Sequence, residues 1–581
     1  MKLCSFTSFF LLCLLSFCAK AQINMLSTDS VAAQVMLGNY NPSLYQASTI
    51  LNNPVTISNG ISANVSADSV HAYLDVIRTF RNHNTGSDTV SSTNGIGAAR
   101  RWAYSKFQQF STTSQNRLIP SYFQFDYTGG ICGIVQHRNI FAVLPGLDTS
   151  DKSIVLVEAH LDSRCENVCD TASLAQGMED NGSGTALVLE LARVMSQYSY
   201  NHTIVFMITT GEEQGLYGAQ AFATYAQQTG IAIKGVLNND VIGGIFCGYT
   251  SSAPSCPGYG NIDSNNVRIF SLGSFNSFHK GLARFVKLEY KERILPFASV
   301  PMTINIMTPE DRTGRGGDHE PFTSLNYPSI RFTAANEDGD ADVTDTAYHD
   351  RQHTTRDTLG VDTNNDGIID SFFIDFDYLA RNTVINGNAI GMMGIGPKTP
   401  DFTLASNGLN NLVINITQQQ QYNTYKVGVR TTTNDWDSVY AFSGSLNYTI
   451  SNLPPEVYIV SVASVDSNGI ESIFSEEKMA NVGIKAITTL NGSVQLLQNN
   501  PNPADEITNI SVVVNNAIQY KEAYISIRDI AGKEVQRLPV QLKEGMNETA
   551  YRHGDHASGT FIYTLMVDGQ AIQSKRMVFT N

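Results

Sequence analysis

The stretch SIVLVEAHLDS, residues 153–163, decides the fold. Its apolar run is the length of one strand, and it ends on two metal-competent side chains, His160 and Asp162. A strand with one solvated face alternates apolar and polar residues, so a run apolar on both faces is covered on both. The same texture recurs outward from it, in NIFAVL (139–144), TIVFMITT (203–210), GVLNND (235–240) and PSIRFT (328–333). Between the 153 and 203 runs lies GTALVLELARVMSQY (184–198), apolar on most faces and so expected to be a packed helix. Residues 66–112 add amphipathic helical patterns ahead of these strands. Strands alternating with helices predict an α/β fold, a mostly parallel central sheet flanked by helices.

The ends of these runs carry the chemistry. Glu212 and Glu213 follow TIVFMITT, Asp240 ends GVLNND, His353 comes after PSIRFT, and Asp180 lies in the turn GMEDNGSG that opens the packed helix. Ligands of open α/β sheets bind beyond the carboxyl ends of the strands, so these residues are expected to converge. Taken singly each has a plainer reading, as a helix cap, a loop or a solvated surface. Together, two histidines and three carboxylates suit two zinc ions, each holding one imidazole and one terminal carboxylate while the third carboxylate bridges.

Five ordered motifs, AHLDS, EDNGSG, GEEQGLYG, NNDVIG and HTTRDTL, resemble those of the co-catalytic zinc aminopeptidases of the M28 clan, over about residues 66–390. The resemblance implies that Asp180 bridges two zinc ions, with His160 and Asp240 completing one and Glu213 and His353 the other. It implies Glu212 as general base and Asp162 as the residue orienting His160 through its second ring nitrogen. The run HDRQH (349–353) also invites comparison with HExxH zinc proteases, but EDGDADVTDTAY before it has no helical periodicity. Only His353 is followed by Thr-x-x-Asp-Thr, so His353 and not His349 is the expected ligand. His319 in GGDHEPF is expected to be structural and Asp318 to support the site. The expected reaction is removal of N-terminal residues from peptides. A carboxypeptidase or glutaminyl cyclase on the same fold, or an inactive surface-binding protein, are the alternatives.

Composition bounds the partners. The chain has 581 residues with a formal charge of −15, 16 % charged and 42 % apolar residues. That balance argues against nucleic acid or an anionic membrane surface. MKLCSFTSFFLLCLLSFCAKAQ opens with Lys2, runs apolar through Phe17 and offers Ala19-Lys20-Ala21, the pattern of a secretory signal over 1–21. No other run is long and apolar enough to span a membrane. In an oxidising compartment Cys165–Cys169 and Cys247–Cys256 are expected to close short loops, leaving Cys132 unpaired and buried.

Residues 22–65 read as an N-terminal segment or propeptide, and the peptidase-like domain as 66–395. Beyond about 396 the texture becomes short alternating strands and turns, predicting two all-β sandwich domains. Residues 398–484 resemble a fibronectin type III module through Leu453-Pro454, Tyr458, Val460, Val462, Asp466, Gly469 and Ser472. Residues 493–581, with LQNNPNPA, ISIRDIAGKEV and SGTFIYTLMVDGQAIQSKRMV, resemble the C-terminal sorting domain of type IX secretion. The secretion machinery is therefore an expected partner, and release or attachment outside the cell, after periplasmic passage, the expected fate. DTNNDGIID (362–370) copies the first nine positions of a calcium loop, but Phe373 stands where the bidentate Glu belongs. Calcium is one reading of residues 362–370, and an Asn/Asp-Gly turn is the simpler one.

Overall fold

The computed structural model describes residues 22–248, 258, 260–312, 315–335, 337, 351–407, 410–417, 422–482, 494–554 and 558–580. The signal segment, His349 and residues 484–492, between the two expected β domains, lie outside them.

Nine strands form one sheet: β1 (Ile23–Ser27), β2 (Ile119–Asp126), β3 (Gln136–Leu144), β4 (Ile154–His160), β5 (Thr203–Thr209), β6 (Ile233–Asn239), β7 (Asn266–Phe270), β8 (Thr303–Ile306) and β9 (Ser329–Ala334). Their spatial order is β1-β2-β3-β5-β4-β6-β9-β7-β8. The parallel core is β5-β4-β6-β9. Flanking it, β1, β2 and β3 run antiparallel, and β7 is antiparallel to β9. The sheet is thus mixed, with its parallel strands at the centre.

Every residue of β4 and β5 is buried, because helices cover both faces. The helices are α1 (Ser30–Met36), α2 (Pro54–Asn64), α3 (Ala67–Ile77), α4 (Gly95–Thr113), α5 (Ser183–Met195), α6 (Tyr217–Thr229), α7 (Phe278–Glu289), α8 (His319–Ser324) and α9 (Phe376–Ile395). Side chains alternate across a strand. Val155, Val157 and Ala159 therefore join the core beneath α2, α3, α4, α5, α7 and α9. Ile154 and Leu156 join a second core with α1, α6 and α8. Residues 22–65 are part of this body: β1 extends the sheet edge, and Ile57 and Ile61 of α2 sit in the larger core.

The C-terminal region is all antiparallel. Strands Phe402–Asn407, Asn411–Ile416 and Asn447–Ile450 face a four-stranded sheet, 424–430, 438–443, 456–465 and 478–482, over a core including Tyr425, Val427 and Val460. A second such pair of sheets occupies 494–579, around Ile525, Tyr551 and Tyr563. Among the described residues no helix is long and apolar enough to cross a membrane.

The expected cysteine pairing is corrected. Cys132 bonds to Cys169, and Cys165 is the buried free thiol. The loop ahead of β3 folds against the 164–173 loop, so proximity in space overrides proximity in sequence. Cys256, the expected mate of Cys247, lies outside the described residues.

Candidate metal centre

Because β5, β4, β6 and β9 are parallel, their carboxyl ends open on one side, and the segments after them meet there. His160 is the last residue of β4 and pairs with Thr209, the last of β5. Glu212 and Glu213 stand in the turn that follows, and Asp240 is the residue after β6. Asp180 precedes α5 in an irregular turn with a cis peptide to Asn181. Two glycines make this turn possible. A Cβ on Gly177, at φ 52°, would lie 2.5 Å from the Asp180 carbonyl oxygen, and one on Gly184 would lie 2.2 Å from that of Asn239. Only glycine lets α5 approach the end of β6 so closely. Asn181 then donates to the Asn239 carbonyl at 2.8 Å and accepts from the Gly184 amide at 2.9 Å.

Asp180 is the centre of the arrangement. Its Oδ1 lies 3.2 Å from His160 Nε2 and its Oδ2 lies 3.1 Å from His353 Nε2. His160 Nε2 is also 3.3 Å from Asp240 Oδ1 and 4.0 Å from Glu212 Oε2. His353 Nε2 is 3.3 Å from Glu213 Oε2. Two groups of ligand-capable atoms result, His160 with Glu212 and Asp240, and Asp180 with Glu213 and His353. His353 occupies the left-handed backbone region at φ 60°, a conformation that a residue with a Cβ rarely adopts and that clusters at functional sites.

The electrostatics follow from burial and crowding. Burial pushes Glu212 and Glu213 well above the usual carboxyl range, helped by the neighbouring carboxylates. Burial opposes ionisation of Asp180 too, but the two imidazoles outweigh it and hold Asp180 well below its ordinary value. For His160 burial is outweighed by Glu212, Asp180 and Asp240, which raise it; for His353 burial wins and lowers it. The donor set of two imidazoles and an excess of carboxylates, with Glu213 Oε1 buried and unpartnered, fits divalent zinc.

All six expected residues around His160 and Asp180 are brought together, and Asp162 stands directly beneath. His160 Nδ1 donates to the Asp162 carbonyl oxygen at 2.9 Å, whereas the Asp162 carboxylate is 3.8 Å away and accepts instead from the amides of Glu212 and Glu213. Orientation of His160 therefore comes from the Asp162 backbone rather than from its carboxylate. His319 is buried in α8 with Nε2 3.2 Å from the Glu310 carbonyl, a packing position near Asp311 and Glu320. Asp318 is buried and receives the Thr209 hydroxyl, and burial raises its carboxyl to about 7. In the 362–370 loop the carboxylates of Asp362, Asp366 and Asp370 accept from the loop's own Gly367, Ile368 and Thr363 amides.

Three residues escaped sequence reasoning. Arg331 Nη2 lies 3.0 Å from Asp240 Oδ2, while its Nη1 grips both oxygens of Asp311 at 2.8 and 3.0 Å. The signal was present as an arginine in mid-strand of PSIRFT. Asp357 accepts from the Glu179 and Asp180 amides, and Glu179 from those of Gly243 and Gly244. Both lie inside quoted motifs, but nothing in their spacing reveals a backbone partner.

The model of peptidase family M28 matches residues 139–372, and that of a secretion system C-terminal sorting domain matches residues 500–579. A probable zinc metalloprotease of Leptosphaeria maculans is 31 % identical over 359 residues, covering 60 % of this chain and 79 % of that protein. Among solved structures, the LapA aminopeptidase of Legionella pneumophila matches at 17 % identity with a TM-score of 0.41, covering 58 % of this chain and 73 % of that one. Porphyromonas gingivalis glutaminyl cyclase matches at 17 % identity with a TM-score of 0.39, covering 56 % and 97 %.

Proposed function

The chain belongs to peptidase family M28, and from that premise we propose that it is a secreted, two-zinc aminopeptidase. His160 and Asp240 would hold one ion, Glu213 and His353 the other, and Asp180 both. One observation carries this reading: the two oxygens of Asp180 face the Nε2 atoms of two different histidines at 3.2 and 3.1 Å. A carboxylate placed so would be able to serve both ions. Bound zinc lowers the pKa of a water and polarises a scissile carbonyl. Glu212 stands next to a ligand without being one; its carboxylate takes a proton from the attacking water and returns it to the leaving amine. A bound zinc ion would also anchor a free substrate α-amine, which is the contact that would make this an exopeptidase acting at the N-terminus.

The rest of the chain serves delivery. We read 1–21 as a signal, 22–395 as an N-terminal segment followed by the peptidase, 398–484 as a fibronectin type III-like spacer and 493–581 as a type IX sorting domain. The match at 500–579 supports that last reading.

The test is product mass spectrometry on three matched peptides, one with a free N-terminus, one acetylated and one beginning with Gln, alongside zinc content. Stepwise N-terminal shortening of the unblocked peptides only, with two zinc ions per chain, is expected. C-terminal loss from the acetylated peptide would instead indicate a carboxypeptidase, and loss of ammonia without shortening a cyclase. No change in any peptide would leave a binding protein.

A further inference from the structure

Of the five segments that contribute side chains to the centre, three are also held by their backbones, each by a carboxylate that accepts from two consecutive amides. The Asp162 carboxylate, two residues after His160, accepts from the consecutive amides of Glu212 at 3.3 Å and Glu213 at 3.2 Å. The Asp357 carboxylate, four residues after His353, accepts from the consecutive amides of Glu179 at 2.9 Å and Asp180 at 3.0 Å. Glu179 Oε1, one residue before Asp180, accepts from the consecutive amides of Gly243 at 3.1 Å and Gly244 at 2.7 Å, just past Asp240. Three acids from three ligand-bearing segments thus each pin the backbone of another. The first stakes the β4 end to the turn after β5, the second the His353 loop to the Asp180 turn, and the third that turn to the segment after β6.

We infer that Asp357 and Glu179 are positioning residues that set where Asp180 and Asp240 present their oxygens. Asp357 is 2 % exposed, so its bonds to two amides are charge-assisted and shielded from competing water. A carboxylate spanning two successive amides fixes the peptide plane between them. That plane carries the Asp180 side chain, whose oxygens must face two histidines at once. An amide cannot replace it: Asn offers one acceptor oxygen, and its NH2 group would confront the second backbone N–H. The device also ties His353 to Asp180 through four residues of chain, so these two members of one ligand group cannot drift apart independently.

This inference rests on the proposed zinc reading, and its test separates the two. Zinc affinity of the full-length protein is measured by competition with a chromophoric chelator, below the melting temperature of each metal-free variant, for wild type, D357N, E179A and D29A. Asp29 accepts from two consecutive amides, Val31 and Ala32, at the start of α1, far from the centre, and serves as the control for losing such a cap. D357N and E179A are expected to weaken zinc binding about 10- to 100-fold, while D29A, which removes the cap, lowers the melting temperature and leaves affinity unchanged. If D357N fails to fold, E179A carries the test alone. Wild-type affinity in both D357N and E179A, or in E179A alone where D357N does not fold, would overturn the inference and leave these acids as ordinary structural caps. Wild-type protein that takes up no zinc would overturn the proposed function instead.

Discussion

Glu212 and Glu213 are neighbours in the chain with different targets: Glu213 Oε2 is 3.3 Å from the His353 ring, and Glu212 Oε2 only 4.0 Å from that of His160. Glu212→Gln keeps the shape but cannot carry a proton, so turnover is expected to fall about 10²- to 10⁴-fold with two zinc ions still bound. Glu213→Gln should lose zinc as well. Zinc content measured beside kcat separates the roles, and equal zinc loss in both variants would contradict the split. The same residues set a pH dependence for the chelated protein. Glu212 and Glu213 have folded-state affinities for protons above their unfolded ones, so the native state binds more protons and stability falls as pH rises above the ordinary carboxyl range. Raised His160 acts in the same sense, its stabilisation being lost as pH climbs through its folded value; lowered His353 opposes, as do His83, His137, His202, His279 and His319, which burial lowers whether or not zinc is bound and which therefore drop out of a comparison of the two forms. Between pH 5 and 8 the Tm of the zinc-free protein is therefore expected to drop more steeply than that of the zinc-loaded one. A parallel pair of Tm profiles would refute this.

Elements explain why some of this was legible and some was not. A parallel core announces itself because its strands are apolar throughout, and its chemistry is exposed at fixed places, the residue or two after each run: His160, Glu212 and Glu213, Asp240. The antiparallel edges were not read, since β2 and β3 pair through backbone bonds that leave no mark in composition. Asp162 is legible as a support of His160, but its grip on the Glu212 and Glu213 amides is not, nor are Asp357 and Glu179, because all three act on amides, which every residue has. Cysteine pairing failed for a related reason: Cys165 and Cys169 are close in sequence, yet the partner of Cys169 arrives from 37 residues away. Cross-linking a loop of that length removes unfolded-state entropy, so replacing Cys132 and Cys169 by Ser together is expected to cost about 2–4 kcal/mol. Denaturant unfolding should show that loss, and C165S should leave stability unchanged within about 1 kcal/mol, its small buried thiol being replaced by a group of similar size. A C165S variant as unstable as the double replacement would restore the original pairing.

The peptidase body and the first β unit are joined by more than a linker. Arg284 on α7 and Arg430 in the strand 424–430 are both buried, and both grip the carboxylate of Glu477, at 2.7 and 2.6 Å. Arg430 also donates to the Ser274 carbonyl at 2.8 Å, and Arg284 to that of Asn434 at 2.7 Å, so each guanidinium crosses the junction. Two buried cations sharing one acid depend on it for their opposite charge. Glu477→Ala would leave both without it, a loss of about 3–5 kcal/mol for a broken buried pair. The cost falls on the junction rather than on either core, since Val427 and Val460 on one side and Phe285 and Val286 on the other remain packed. Calorimetry of the wild type is then expected to show these two units melting together, and the E477A variant to split that event, the β unit melting first. Limited proteolysis should open a new cut near 396–400 in the variant alone, where the chain passes from α9 to the first β strand. An unchanged melting profile would mean that the two units are stable independently and that the shared acid satisfies the arginines without coupling them.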